Sequence, residues 1–125
     1  RSQMSRHEFL RSDRKVERTV FGEGSSALKI VINGGSADYM CESELGGKVL
    51  LPPYGFLAES PTFVAFHARS WGGINYDAPT LFTLRSLDRR TLSRSRRVRI
   101  YHAMGNAEVR IGGATRIVPR EAVFE

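Results

Sequence analysis

A chain of 125 residues, 41% hydrophobic and 26% charged, has the length of one domain and a globular composition, with no low-complexity stretch. Its one cysteine, Cys41, excludes an internal disulfide and a cysteine-based zinc site within the chain, and no apolar run reaches the roughly 18 residues of a membrane-spanning helix. The net charge of +6 invites an anionic partner, but the basic residues run from Arg1 to Arg120 and all but three of the 19 are arginine, so charge alone specifies no ligand.

The N-terminal RSQMSRHEFLRSDRK is polar and lacks the apolar core of a signal peptide. Ser5, followed three residues later by Glu8, fits a capping box, yet Phe9 and Leu10 offer little to bury. Residues 1–15 are therefore expected to be a polar arm, and 16–125 a single domain. Without a methionine at position 1, the chain reads as a piece of something longer.

From Val16 onward the pattern is short alternating runs separated by glycine pairs, with almost no helical periodicity. VERTVF closes at Gly22-Glu23-Gly24. ALKIVIN sets Leu28, Ile30 and Ile32 on one face and stops at Asn33-Gly34, a hairpin signal because both residues tolerate positive φ. ADYMCES follows, then KVLLPP, whose prolines place its end at a sheet edge or exit. PYGFLAESP turns the chain into TFVAFHARS, which is apolar on both faces and so is the candidate central strand. After the loop WGGINYDAP come TLFTLRSL, RVRIYHA, AEVRIG and TRIVPREAVF. About nine or ten such strands without intervening helices predict an all-β fold, an antiparallel two-sheet β-sandwich of jelly-roll or Greek-key type.

SLDRRTLSRSRRVRIYHA is the densest basic stretch. LDRRTL reads as a turn built on Asp88. In the strand that follows, Val98, Ile100 and His102 face one way and Arg97, Arg99 and Tyr101 the other, the alternation expected of a strand with one solvent face. Polyanion binding needs arginines that converge, and Arg85, Arg97 and Arg99 meet that condition if Ser86 to Arg99 forms a hairpin.

Catalytic constellations are sparse. His7, His67 and His102 stand apart, without HExxH, GxSxG, Walker or GxGxxG patterns. Glu42 with Glu44, and Glu59 before Pro61, fit solvated hairpin ends better than an acid/base pair. The loop SWGGINYD concentrates Trp71, Asn75, Tyr76 and Asp77, an aromatic face beside amide and carboxylate groups of the kind that receives sugar rings. On that reading Trp71 stands at the sandwich rim with Tyr76. On the alternative, it plugs the end of the sandwich or packs on a neighbouring domain.

Three stretches together resemble a known family. ERTVFGEGSSALKIVING, KVLLPPYGFLAESPTFVAFHA and TLFTLRSLDRRTLSRSRRVRIYHA, covering roughly Val16 to Gly112, are similar to the all-β C-terminal domains that follow the catalytic barrel in some glycoside hydrolases and related proteins. The chain departs from that pattern at Glu23, where aspartate is commoner, and at Arg89, where glycine would follow Asp88. The resemblance implies catalytic acids in the barrel and none here. The expectation is thus a non-catalytic accessory domain without cofactor or metal, partnered by the catalytic domain of a parent protein and by a glycan, and not by nucleic acid or membrane. The alternative is a module that binds a polyanion, nucleic acid or acidic polysaccharide, through the Arg85–Arg99 hairpin, with Arg85, Arg97 and Arg99 as the anion-binding residues.

Overall fold

The computed structural model describes residues 4–10, 15–111 and 113–125. Among them are twelve strands and one 3-10 turn, Gly24–Ser26. Eight strands build one antiparallel sheet: β1 (Met4–Phe9), β2 (Val16–Phe21), β3 (Leu28–Asn33), β6 (Phe56–Ser60), β7 (Phe63–Trp71), β8 (Ile74–Ser86), β9 (Val98–Met104) and β12 (Glu121–Phe124), in the order β1-β2-β3-β6-β7-β8-β9-β12. The order is sequential except where two hairpins leave the sheet, β4 (Tyr39–Ser43) with β5 (Gly47–Leu51), and β10 (Glu108–Ile111) with β11 (Ala114–Ile117). The chain is a meander interrupted twice, and the hairpins supply the second layer of a sandwich-like all-β fold.

Alternation decides which face of the large sheet they cover. Val31, Leu57, Phe66, Phe82 and Leu84 point to one side and are buried. Val49 and Leu51 of β5 and Val109 of β10 join the same cluster, so both hairpins close over this inner face. TFVAFHARS lies between β6 and β8 near the middle of the sheet, where a strand apolar on both faces belongs.

Several elements differ from expectation. Met4–Phe9 is not a polar arm: it pairs with β2, and its exposed charges form cross-strand contacts, Arg18 Nη1 donating to Glu8 Oε1 at 2.9 Å and His7 Nε2 meeting Glu17 Oε1 at 2.8 Å. Asn33-Gly34 does not close a hairpin. β3 pairs with β2 and β6, and the buried Asn33 side chain instead ties down the departing chain. Its Nδ2 donates to the carbonyls of Ala37 at 2.8 Å and Leu51 at 3.0 Å, while its Oδ1 accepts from Gly35 N at 3.0 Å. FLAES is a strand, not only a turn, and TRIVPREAVF divides at Pro119 into β11 and β12.

The core is closed by aromatic rings. Trp71 is fully buried, its indole stacked on Phe66 at 4.4 Å with the planes 5° apart, and its Nε1 donates to the Arg110 carbonyl at 3.0 Å. Gly46 lies directly under the ring, and a Cβ there would overlap the indole. Truncating such a side chain leaves a cavity. Trp71→Ala should therefore cost about 3–5 kcal/mol of unfolding free energy in a urea titration. Gly46→Ala should also destabilise by at least about 1 kcal/mol, because the overpacked ring has no room to yield.

Candidate functional site

The four residues proposed for a sugar platform do not form one. β7 and β8 run past the expected loop to a two-residue turn at Gly72 and Gly73, with φ of 61° and 85°, the sign that such a tight hairpin turn requires at both positions. A register irregularity between Ala68 and Ser70 rotates Trp71 inward, so it is a core residue with no face open to a ligand. Tyr76 is also buried; burial, with Glu108 adding to it, pushes its phenol above its ordinary range. Only Asn75 and Asp77 remain exposed, and Asp77 N is engaged by Asn106 Oδ1 at 3.2 Å. Trp71 thus takes the second of the two readings, the plug.

Arg85, Arg97 and Arg99 do share a face, as the alternation predicts, but each is engaged. Arg85 and Arg99 are direct cross-strand partners, a like-charge pairing that is unfavourable by itself. Arg99 Nε relieves it by donating to Glu121 Oε2 at 2.5 Å, and the Arg85 guanidinium lies 5.4 Å from the centroid of the Phe63 ring. Arg97 Nε sits 3.4 Å from Glu125 Oε2.

These side chains border the most distinctive surface of the molecule, the outer face of the eight-stranded sheet. The register aligns its side chains in rows across the strands. One row reads Thr19, Ile30, Ala58, Ala65, Thr83 and Tyr101, and the next Ile32, Phe56, His67, Leu81 and Met104. A sheet face turned to water normally carries polar residues in such rows. Here Ile32, Tyr101 and Met104 are 45%, 45% and 49% exposed, and the charges stand at the margins, in Glu17, Arg85, Arg99 and Glu121. Sequence reading placed Arg99 and Tyr101 on a solvent face; it missed that the face continues as apolar rows, because register between distant strands is not written in any one segment.

Other chemistry is limited. The Ser43 hydroxyl donates to Glu59 Oε2 at 2.5 Å, which engages Glu59 in positioning the β4–β5 turn. Burial, reinforced by the Glu59 carboxylate, pushes the Cys41 thiol up to about 12. No group of three His, Cys, Asp or Glu side chains among the described residues is placed to hold a metal ion, and no helix among them is long and apolar enough to cross a membrane.

The loop 87–97 is built on Asp88. Its carboxylate accepts hydrogen bonds from Arg96 N at 2.8 Å, Ser95 Oγ at 2.8 Å, Ser86 Oγ at 2.9 Å and Arg90 N at 3.2 Å. Foremost the Arg96 amide, then the two hydroxyls and the Arg90 amide, hold the carboxyl well below the usual carboxylate range.

No family model, curated protein or solved structure matches the chain.

Both titratable groups lead to measurable behaviour. A lowered carboxylate pKa in the folded state stabilises the fold above the unfolded value, near 4, and the contribution disappears as pH falls toward the folded value. The stability difference between the native chain and Asp88→Ala, measured by urea unfolding, should thus be constant at neutral pH and shrink below about pH 4. Native Cys41 should resist iodoacetamide at about pH 8 and react once the chain is unfolded in urea, because the thiolate is the nucleophile.

Proposed function

We propose that the chain is a non-catalytic accessory domain of a larger carbohydrate-active protein, packing through the outer face of its large sheet onto the catalytic domain. The observation that carries the docking half is the run of apolar rows on that face; the carbohydrate half rests on the sequence resemblance. Six strands spaced about 4.8 Å apart and two side-chain rows about 7 Å apart give a footprint on the order of 400 Å² per side, roughly 800 Å² counted over both partners. That suits an interface between domains of one chain, whereas obligate dimers bury well above it, about 2,000 Å² or more in total. The marginal charges suit a polar rim around an apolar centre.

The test is to express the full reading frame encoding this chain, and separately the 125-residue chain, each with and without Ile32→Glu and Met104→Glu, both at exposed positions of the face. In the isolated chain these solvent-facing changes should shift stability by no more than about 0.5 kcal/mol. In the full protein they should uncouple this domain, so that it melts as a separate transition and becomes sensitive to limited proteolysis. An unchanged full-length protein, or a frame encoding no further domain, would refute the reading.

A further inference from the structure

We infer that the arginine loop 87–97 and the cleft beside it form a binding site for an acidic glycan, a sugar chain carrying carboxylate or sulfate groups. The site lies on the inner side of the large sheet, away from the outer face, so it does not depend on the docking proposed above.

The first observation is charge without partners. Arg18, Arg69, Arg97 and Arg99 each meet a carboxylate. Arg89, Arg90, Arg94 and Arg96 are exposed and make no side-chain ion pair among the described residues. Four guanidinium groups within eight residues repel one another, and that repulsion is relieved when an oxyanion binds between them.

The second observation is preorganisation. The Asp88 carboxylate gathers the two ends of the loop, Leu87 N donates to the Arg97 carbonyl at 2.8 Å, and buried Leu92 donates its N–H to the Pro61 carbonyl at 2.8 Å. Arg89 has φ of +66°, the left-handed region that glycine enters at far lower cost. An arginine kept in that conformation argues for a use of its side chain. The loop presents its arginines from a fixed backbone, so only side-chain ordering is left to oppose binding.

The third observation chooses the ligand. A cleft of about 230 Å³ opens between the loop and the β11–β12 segment. Its floor is apolar, with Leu92, Val98 and Ile100 buried, and its walls carry Arg96 and Arg116. The Arg116 guanidinium is held 4.5 Å over the Phe124 ring. Glu125 also lines the cleft, but its carboxylate is turned to Arg97. An apolar floor between two guanidinium groups accepts the C–H face of a sugar ring, while its carboxylate or sulfate takes the forked donors. Single-stranded nucleic acid would need exposed rings for its bases; the loop has none, and Phe124 is covered by Arg116.

The 125-residue chain should be titrated at physiological salt with a heparin hexasaccharide, an oligogalacturonate of the same length and a short duplex DNA. Saturable binding of at least one glycan, tighter than duplex, is expected; binding of the oligogalacturonate shows that carboxylates suffice, and binding of heparin alone shows that they do not. Arg96→Gln with Arg116→Gln should weaken glycan binding about tenfold, the loss of charge-assisted hydrogen bonds. Arg85→Gln with Arg99→Gln removes the same charge from the outer face and should change it less than about twofold. Arg96→Lys with Arg116→Lys keeps the charge without the fork and should also bind more weakly than the native chain. Should the glutamine variant fail to fold, the lysine pair decides the matter. The proposal is overturned by equal losses from the Arg96/Arg116 and Arg85/Arg99 glutamine pairs, by full affinity in the lysine variant, by tighter binding of duplex, or by no saturable binding.

Discussion

The stack of Trp71 on Phe66 is the contact on which the layering of this molecule depends. Phe66 sits on the inner face of the central strand and Trp71 at the end of the same strand. The indole touches both hairpins at once, with Gly46 of the β4–β5 turn beneath it and the Arg110 carbonyl of β10 accepting its N–H. Two hairpins of four or five residues per strand would be marginal alone. Here they share one aromatic clamp, and the second layer exists because a single side chain reaches both.

Covering one face by this means leaves the other bare. A sheet of eight strands has two faces of equal extent, and both hairpins pack on the inner one. The outer face keeps Ile30, Phe56, Ala65 and Leu81 in register across strands that come from distant parts of the chain. Singly exposed apolar residues need no explanation, whereas a contiguous array of them is the feature on which the proposed docking rests. The arginines of the same strands fall at the margin of that array, and Glu121 and Phe63 absorb the ones that would otherwise repel across β8 and β9.

The strands were legible in sequence because their period is two and their punctuation is glycine and proline. TFVAFHARS announced its central position by being apolar on both sides, and RRVRIYHA its facing by alternation. Trp71 was legible only as two alternatives, and the structure shows why: the irregularity between Ala68 and Ser70 shifts the period at the point where parity would have decided the matter. Gly72-Gly73 reads in sequence as part of a loop, and the pairing of β7 with β8 shows it to be a tight turn. Asn33-Gly34 failed in a related way. The dipeptide permits a hairpin, but the buried Asn33 amide donates to carbonyls that include those of Leu51 and Pro52, 18 and 19 residues further along the chain. The cleft beside Arg96 combines a loop, β9 and β12, so no local pattern encodes it.

Asp88 shows how one local hydrogen-bonding preference propagates to surface chemistry. The residue after it, Arg89, is in the left-handed region that glycine enters at lower cost, and the turn is kept even though arginine occupies that position. A carboxylate that accepts two backbone amides and two hydroxyls fixes the path of the loop, and once the path is fixed the conformation at Arg89 is no longer free to relax. The strain at Arg89 is therefore sustained by Asp88, and both are compatible with folding because Leu92 anchors the loop in the core. A loop serving only to join β8 to β9 would need neither the strained arginine nor the three further arginines that make no ion pair among the described residues. Its construction makes sense when the guanidinium groups have something to hold.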